Sequence, residues 1–167
     1  EFAELLGDTV ELALQSELGI EEVEETGTTF LENALLKARH AAYVSGLPAI
    51  ADDSGLEVDA LGGAPGIYSA RYAGVSASDT DNVDKLLDAL KDAPVTERGA
   101  QFRAVVVYVK DASDANPRIA EGVWRGSITD QPRGQGGFGY DPVFLDPDSG
   151  VTSAELTQEM KNVRSHR

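Results

Sequence analysis

The 167-residue chain contains no cysteine. That excludes disulfides, thiolate zinc sites and a cysteine nucleophile. Histidine is nearly as scarce: His40 and His166 are the only two. Two are too few to build a zinc site, so any metal has to be a hard cation held by carboxylates. Cations are also outnumbered, with 14 Lys and Arg against 29 Asp and Glu and a net charge of −15. Such a surface repels a nucleic-acid backbone, which needs lysine and arginine to displace its counterions. A small anionic substrate would need local cations or a metal ion to be held at all. No apolar run approaches the roughly 20 residues of a membrane span. No leader-like segment opens the residues given, so a cytoplasmic location is the expectation. Neither a Gly-x-x-x-x-Gly-Lys-Ser/Thr loop nor a Gly-x-Ser-x-Gly elbow occurs, which removes the P-loop NTPases and the serine hydrolases of the elbow type.

The length suits one domain with a real core, and no composition shift divides it. Glu1 to Leu6 reads as a helix end stopped by Gly7. Val10, Leu12 and Leu14 alternate with Glu11 and Ala13, the pattern of a strand. After an acidic loop, Thr29-Phe30-Leu31-Glu32 forms a capping box that predicts a helix from Phe30 to about Ser45, closed by Gly46 and Pro48. Residues 47 to 51 read as a short strand ending on two adjacent carboxylates, Asp52 and Asp53. A second helix opens at Asp79, Thr80 and Asp81, with Val83, Leu86, Leu87 and Leu90 on one face. Phe102 to Val109 and Ile119 to Ile128, joined by a turn-rich linker, predict a hairpin. Thr157 caps a last helix. Helices and strands alternate but include a hairpin, which argues α/β with a mixed sheet.

Four stretches have the residue types for chemistry. Asp52-Asp53-Ser54-Gly55 sits at a strand's carboxyl end, where α/β proteins bind ligands. It reads equally well as an ordinary turn with an Asx cap. Adjacent strand side chains diverge, so the two carboxylates share a site only if a turn intervenes. Glu24-Glu25-Thr26-Gly27 precedes the capped helix, on which Asn33 and Lys37 share a face. Glu25 is placed to complete a divalent-cation site with Asp53, and Lys37 to reach a phosphate. Taken alone, this is a solvated acidic loop beside an exposed lysine. Gly134 to Pro142 sets four glycines around Phe138; glycines let backbone N–H groups approach an anion or a base, and an aromatic between them makes a stacking platform. A hairpin loop with core aromatics is the competing reading, and it accounts well for Phe144. Finally, Lys161 to Arg167 is a cationic cluster in an acidic protein, suited to an anionic ligand or to complementing a helix C-terminus.

In this order, "EETGTTFLENALLKA", "ADDSGLEVDALGGAPGIYSARYAG", "GGFGYDPVF" and "AELTQEMKNVRSHR" resemble the Ham1 or inosine-triphosphatase family of its bacterial type, along essentially the whole chain. The resemblance implies an elongated two-lobed α/β fold around a long mixed sheet with flanking helices and a central cleft. It also implies a homodimer, a single domain over residues 1–167, and no nucleic-acid or membrane partner. It implies Mg²⁺-dependent hydrolysis of ITP, dITP and XTP to the monophosphate and pyrophosphate, removing non-canonical purines from the nucleotide pool. By the same resemblance Asp53 is the catalytic carboxylate and Glu25 its partner as metal ligand. In the reaction this implies, Mg²⁺, Lys37 and Lys161 would neutralise charge developing on the phosphates. Ser54, Phe138, Gly139, Tyr140, Asp141, Lys161, His166 and Arg167 contact the nucleotide, with Arg167 a candidate donor to the purine O6. Asp52 is either a further ligand or a neighbour of one. The family pattern starts with a strand and a Thr/Ser-Gly-Asn-x-x-Lys phosphate loop and continues past "SHR", so this sequence is expected to be clipped at both ends. A nucleotide-binding protein without turnover is the alternative reading that departure raises. A pyrophosphatase for modified pyrimidines of the Maf-like group is disfavoured by "GGFGYDPVF" and "SHR". A purely structural acidic protein would leave the clustered glycines and late cations unexplained.

Overall fold

Residues 10–166 are described by a computed structural model. The readings placed on Glu1 to Gly7 and on Arg167 lie outside these residues. Along the chain run helix α1 (Phe30–Ser45), strand β1 (Ala49–Val58), helix α2 (Asp79–Ala89), strands β2 (Gly99–Val109), β3 (Arg118–Ile128) and β4 (Phe144–Leu145), and helix α3 (Gln158–Arg164). The four strands form one sheet in the order β1-β2-β3-β4. The link between the 11-residue strands β2 and β3 is too short to span a strand's length back to its start, so these neighbours form the predicted hairpin. β4 pairs antiparallel with β3 in the register Ser127↔Leu145 and Ile128↔Phe144. The fold is therefore α/β, a sheet accompanied by helices.

The described residues divide into two compact units, residues 10–53 with 105–121, and residues 54–104 with 122–166. In the first, α1 starts on its capping box: Thr29 accepts from Glu32 N, and Glu32 returns to the backbone of Thr28 and Thr29. It stops where Gly46 adopts φ +70° and donates to Ala42 O. Its buried face is Phe30, Asn33, Ala34, Ala38 and Ala42, a narrow stripe of one ring and three alanines with one amide among them. Val105, Val107 and Val109 of β2 are also buried in this unit.

In the second unit α2 turns Val83 and Leu86, followed by Leu90, toward Leu56 and Val58 of β1, Ala100 and Phe102 of β2, and Trp124 and Ile128 of β3. Three rings form the centre of this core. Phe102 lies 4.5 Å from Phe144 and 6.2 Å from Trp124, and Trp124 meets Phe144 edge-on at 5.1 Å. The buried Arg98 guanidinium donates to Leu90 O just past α2, and to Ala93 O and Thr129 O. It satisfies carbonyls that the end of a helix leaves without partners.

Two expectations are corrected. Val10 to Leu14 is not a strand: Val10, Leu12 and Leu14 are exposed, and a turn closes at once through Glu17 N and Leu18 N donating to Leu14 O. Alternation allows a strand only where another strand offers hydrogen bonds, and the described sheet consists of β1 to β4. Nor does β1 stop at the two aspartates. It runs on through Asp52, Asp53, Ser54 and Gly55 to Val58, because Leu56 and Val58 are wholly buried core residues and pull the segment into the sheet.

Candidate active site

Because β1 stays extended, Asp52 and Asp53 point to opposite faces. Only Asp53 is buried, at 7% exposure, and it meets the two polar residues on one face of α1. Lys37 Nζ donates to Asp53 Oδ1 at 2.8 Å and to Glu25 Oε1 at 3.0 Å. Asn33 Nδ2 donates to Asp53 Oδ2 at 3.3 Å. Both oxygens of Asp53 are thus engaged by α1, from positions one helical turn apart. The Asn33 amide oxygen meanwhile accepts from Gly27 N at 2.8 Å, pinning the loop that carries Glu25 to the start of the helix.

Asn33 is the residue that sequence reasoning placed on the right face but gave no task. Its signal was an amide on a helix stripe otherwise made of Phe30, Ala34, Ala38 and Ala42, where burial demands partners.

Burial pushes Asp53 above the usual carboxylate range, more than its bonds to Lys37 and Asn33 pull it down; the Glu25 charge adds to the rise. For Lys37 burial acts downward, but the hydrogen bonds to Asp53 and Glu25 outweigh it and hold the ammonium above its ordinary value. The result is a carboxylate well placed to accept a proton and a lysine that stays charged.

Glu25 and Asp53 converge on one cation, the ammonium of Lys37. Their hard oxygens are the donor type that Mg²⁺ takes. The described residues hold no group of three or more Asp, Glu, His or Cys suited to a metal. A pair of carboxylates suits Mg²⁺, which typically binds one or two of them together with substrate phosphates. The residues fit that ion.

The second group lies in the loop after β3. Phe138 is 61% exposed, whereas Phe144 is wholly buried, so the structure separates a presented ring from a core ring. Gly137 has φ +74°, and a Cβ there would stand 2.0 Å from Asp141 Oδ2; only glycine lets the loop close over that carboxylate. Asp141 is buried and accepts from Phe138 N at 2.9 Å, from Ser153 Oγ at 2.8 Å and from Lys161 Nζ. Lys161 sits 5.2 Å from the centre of the Phe138 ring. Gly139 N donates to Asp79 Oδ2 at 2.7 Å. Tyr140 is a core residue whose hydroxyl donates to Ser69 O at 2.8 Å, and burial, with Tyr72 and Asp79 adding to it, raises its pKa. His166 stacks on Phe102 at 5.1 Å. Ser54 lies in β1, half-buried, one residue beyond Asp53.

The structure thus assembles Glu25, Asn33, Lys37 and Asp53 in the first unit, and Phe138, Asp141 and Lys161 in the second.

Comparison with known proteins came out uniformly. The Ham1 family model matches residues 1–167. The dITP/XTP pyrophosphatase of Pectobacterium atrosepticum is 60% identical over 168 residues, covering 100% of this chain and 85% of that protein. That of Methylococcus capsulatus is 63% identical over 157 residues, covering 94% and 78%. Among solved structures, a HAM1 protein from Coxiella burnetii matches with a TM-score of 0.94 at 48% identity, over 99% of this chain and 84% of that one. A nucleoside-triphosphatase, dITP/XTP pyrophosphatase, from Mycobacterium abscessus matches with a TM-score of 0.82 at 43% identity, over 97% and 85%.

Proposed function

This chain belongs to the Ham1 family and hydrolyses non-canonical purine nucleoside triphosphates, dITP, XTP and ITP, to monophosphate and pyrophosphate, and we propose that Asp53, Lys37 and Glu25 carry the reaction. The observation that supports this assignment most is the double engagement of one buried carboxylate by Lys37 and Asn33.

Water attacks the α-phosphorus, a new P–O bond forms, and the bond to the bridging oxygen of the leaving pyrophosphate breaks. Asp53 is the group that receives the proton from that water. Its two oxygens, oriented by Lys37 and Asn33, suit it to that task. Lys37 stays cationic and neutralises charge on the phosphate oxygens, the main task in phosphoryl transfer. Asn33 fixes the plane of the Asp53 carboxylate so that its free lone pairs keep one direction. Glu25 and Asp53 are the residues to hold Mg²⁺; when bound, the ion supplies further charge neutralisation and makes water more acidic. Phe138, Gly139 and Lys161 bind the nucleotide, with Ser54, His166 and Arg167 as further contacts. Tyr140 and Asp141 act by holding the loop in shape, since the hydroxyl of one and the carboxylate of the other are already taken up within the protein. The family match over residues 1–167 supports reading the chain as one domain. A homodimer and a cytoplasmic location belong to the same reading; no described helix is long and apolar enough to cross a membrane.

The direct test is pyrophosphate release from dITP, XTP and ITP, with ATP and GTP as controls. Turnover of the first three that stops on chelation with EDTA and returns with Mg²⁺ is the expected result. Turnover unaffected by EDTA removes the ion from the reading, and nucleotide binding without pyrophosphate release leaves a binding protein.

Phe138→Ala is expected to weaken nucleotide binding by about 1–3 kcal/mol, the worth of one stacked base. The loss should be similar for dITP and XTP, because both purines present a π-face. Calorimetric titration measures it. An unchanged affinity with a lowered melting temperature would show that the exposed ring serves the loop instead.

A further inference from the structure

Helix α3 has no buried residue. Its apolar side chains Met160 and Val163 are exposed, Val163 at 86%, and seven residues are too few for a helix to hold itself in water. Something other than an apolar face therefore fixes it, and the structure supplies two charged rungs. Lys161 reaches Asp141, whose side chain is 5% exposed, and Arg164 reaches Asp146, at 2%. The two cations are three residues apart on one face of α3. The two carboxylates flank β4, one before it and one just after.

The rungs have different neighbours. Asp141 also accepts from Phe138 N and Ser153 Oγ, so the first rung is part of the nucleotide loop itself. Asp146 instead accepts from the indole Nε1 of Trp124 at 3.1 Å and from Ser149 N at 3.0 Å. Burial alone would raise the Asp146 pKa, but the bonds from Ser149, Trp124 and Arg164 outweigh it and hold the carboxyl below its usual range. The second rung thus ties α3 to β3, in the ring core of the second unit. Beyond Arg164 the backbone continues across the same strand. A Cβ at Gly122 of β3 would stand 1.9 Å from His166 O, so the chain after α3 lies directly on that glycine, and the His166 ring stacks on Phe102.

We propose that the Arg164–Asp146 pair, held in place by Trp124, is a positioning latch that sets Lys161 and His166 for the nucleotide without touching it. The inference rests on the reading that α3 and the residues after it contact substrate. Its distinctive mark is kinetic. A latch acting through Lys161 and His166 governs how well the nucleotide is held, while proton transfer belongs to Asp53. Loss of the latch therefore raises KM and spares kcat.

Arg164→Gln removes the charge and leaves Asp146 its bonds from Trp124 and Ser149. Its KM for dITP is expected to rise about tenfold, the lower end for a charge-assisted hydrogen bond, with kcat within about twofold. Arg164→Lys restores a cation on what is a single-oxygen contact and is expected to recover most of the loss. Lys161→Ala is the companion measurement, because it tests the underlying reading alone. If Lys161→Ala raises KM and Arg164→Gln does not, the latch is overturned and the reading stands. If Lys161→Ala has no effect, α3 does not contact the nucleotide and both fall. A lysine variant no better than the glutamine one, or a fall in kcat together with the rise in KM, also overturns the proposal, since charge-borne positioning predicts neither.

Discussion

Asp53→Asn lowers kcat/KM for dITP by about 10³-fold or more and leaves the circular dichroism spectrum unchanged. The substitution keeps the shape and one acceptor oxygen but removes the charge and the proton acceptor. General-base catalysis accounts for about 10²–10⁴ of a rate, and the same carboxylate is one of the two oxygen donors offered to a cation, so the upper part of that range is expected. The fold should tolerate the change. Burial already disfavours the ionised form, as the raised pKa of Asp53 shows, and Lys37 keeps Glu25 as a partner. Steady-state pyrophosphate release beside thermal unfolding makes the measurement. A variant that unfolds early and loses activity in proportion would recast Asp53 as a structural residue, and near-normal turnover would remove it from the mechanism.

Lys37→Met is expected to cost about 10²–10³ in kcat, the scale for losing one preorganised electrostatic contact to developing charge. Methionine preserves the length and the apolar stem of lysine while deleting the ammonium. The deletion also leaves Glu25 and Asp53 facing each other without the cation between them, and two uncompensated carboxylates repel. Two effects of opposite sign follow, one on catalysis and one on metal affinity. Catalysis falls because the phosphate loses a cation, while the carboxylate pair gains affinity for any other cation. Titration of the Lys37→Met protein with Mn²⁺, followed by electron paramagnetic resonance, is expected to show tighter binding than in the wild type. Unchanged kcat would take Lys37 out of the reaction, whatever the titration shows.

How much of this was legible beforehand depended on whether the cause was local. The capping box at Thr29 and Glu32 and the stop at Gly46 are settled within a few residues of chain, and α1 falls where it was predicted. The β2–β3 hairpin is equally local in origin. The Asp-Asp-Ser-Gly segment misled because its composition is that of a turn, whereas Leu56 and Val58 are drawn into a core made with residues as distant as Phe144. Val10 to Leu14 misled in the opposite sense, having the alternation of a strand without a neighbouring strand to bond it. In the site, Glu25, Lys37 and Asp53 were candidates whose sequence context alone left an acidic loop and a turn as equal readings; the family resemblance gave Asp53 and Glu25 their roles, and the structure draws the three together. Asn33 and the Asp146–Arg164 pair went unassigned because their partners are 20 and 18 positions away. Spacing on one helix says which residues share a face, but not what that face will meet.

Trp124 is the chain's only tryptophan, and its place beside Phe102, Phe144 and Asp146 gives the molecule a built-in optical reporter. Indole emission responds to the polarity around the ring and to charge at its nitrogen, and here both are set by one core and one carboxylate. With no second indole to dilute it, a change in intensity or wavelength comes from that neighbourhood alone. Titrating nucleotide or salt while watching this one signal is expected to follow the seating of helix α3 in real time, without any label attached. A stopped-flow trace recorded in the same way would separate the rate at which the helix seats from the rate at which pyrophosphate leaves.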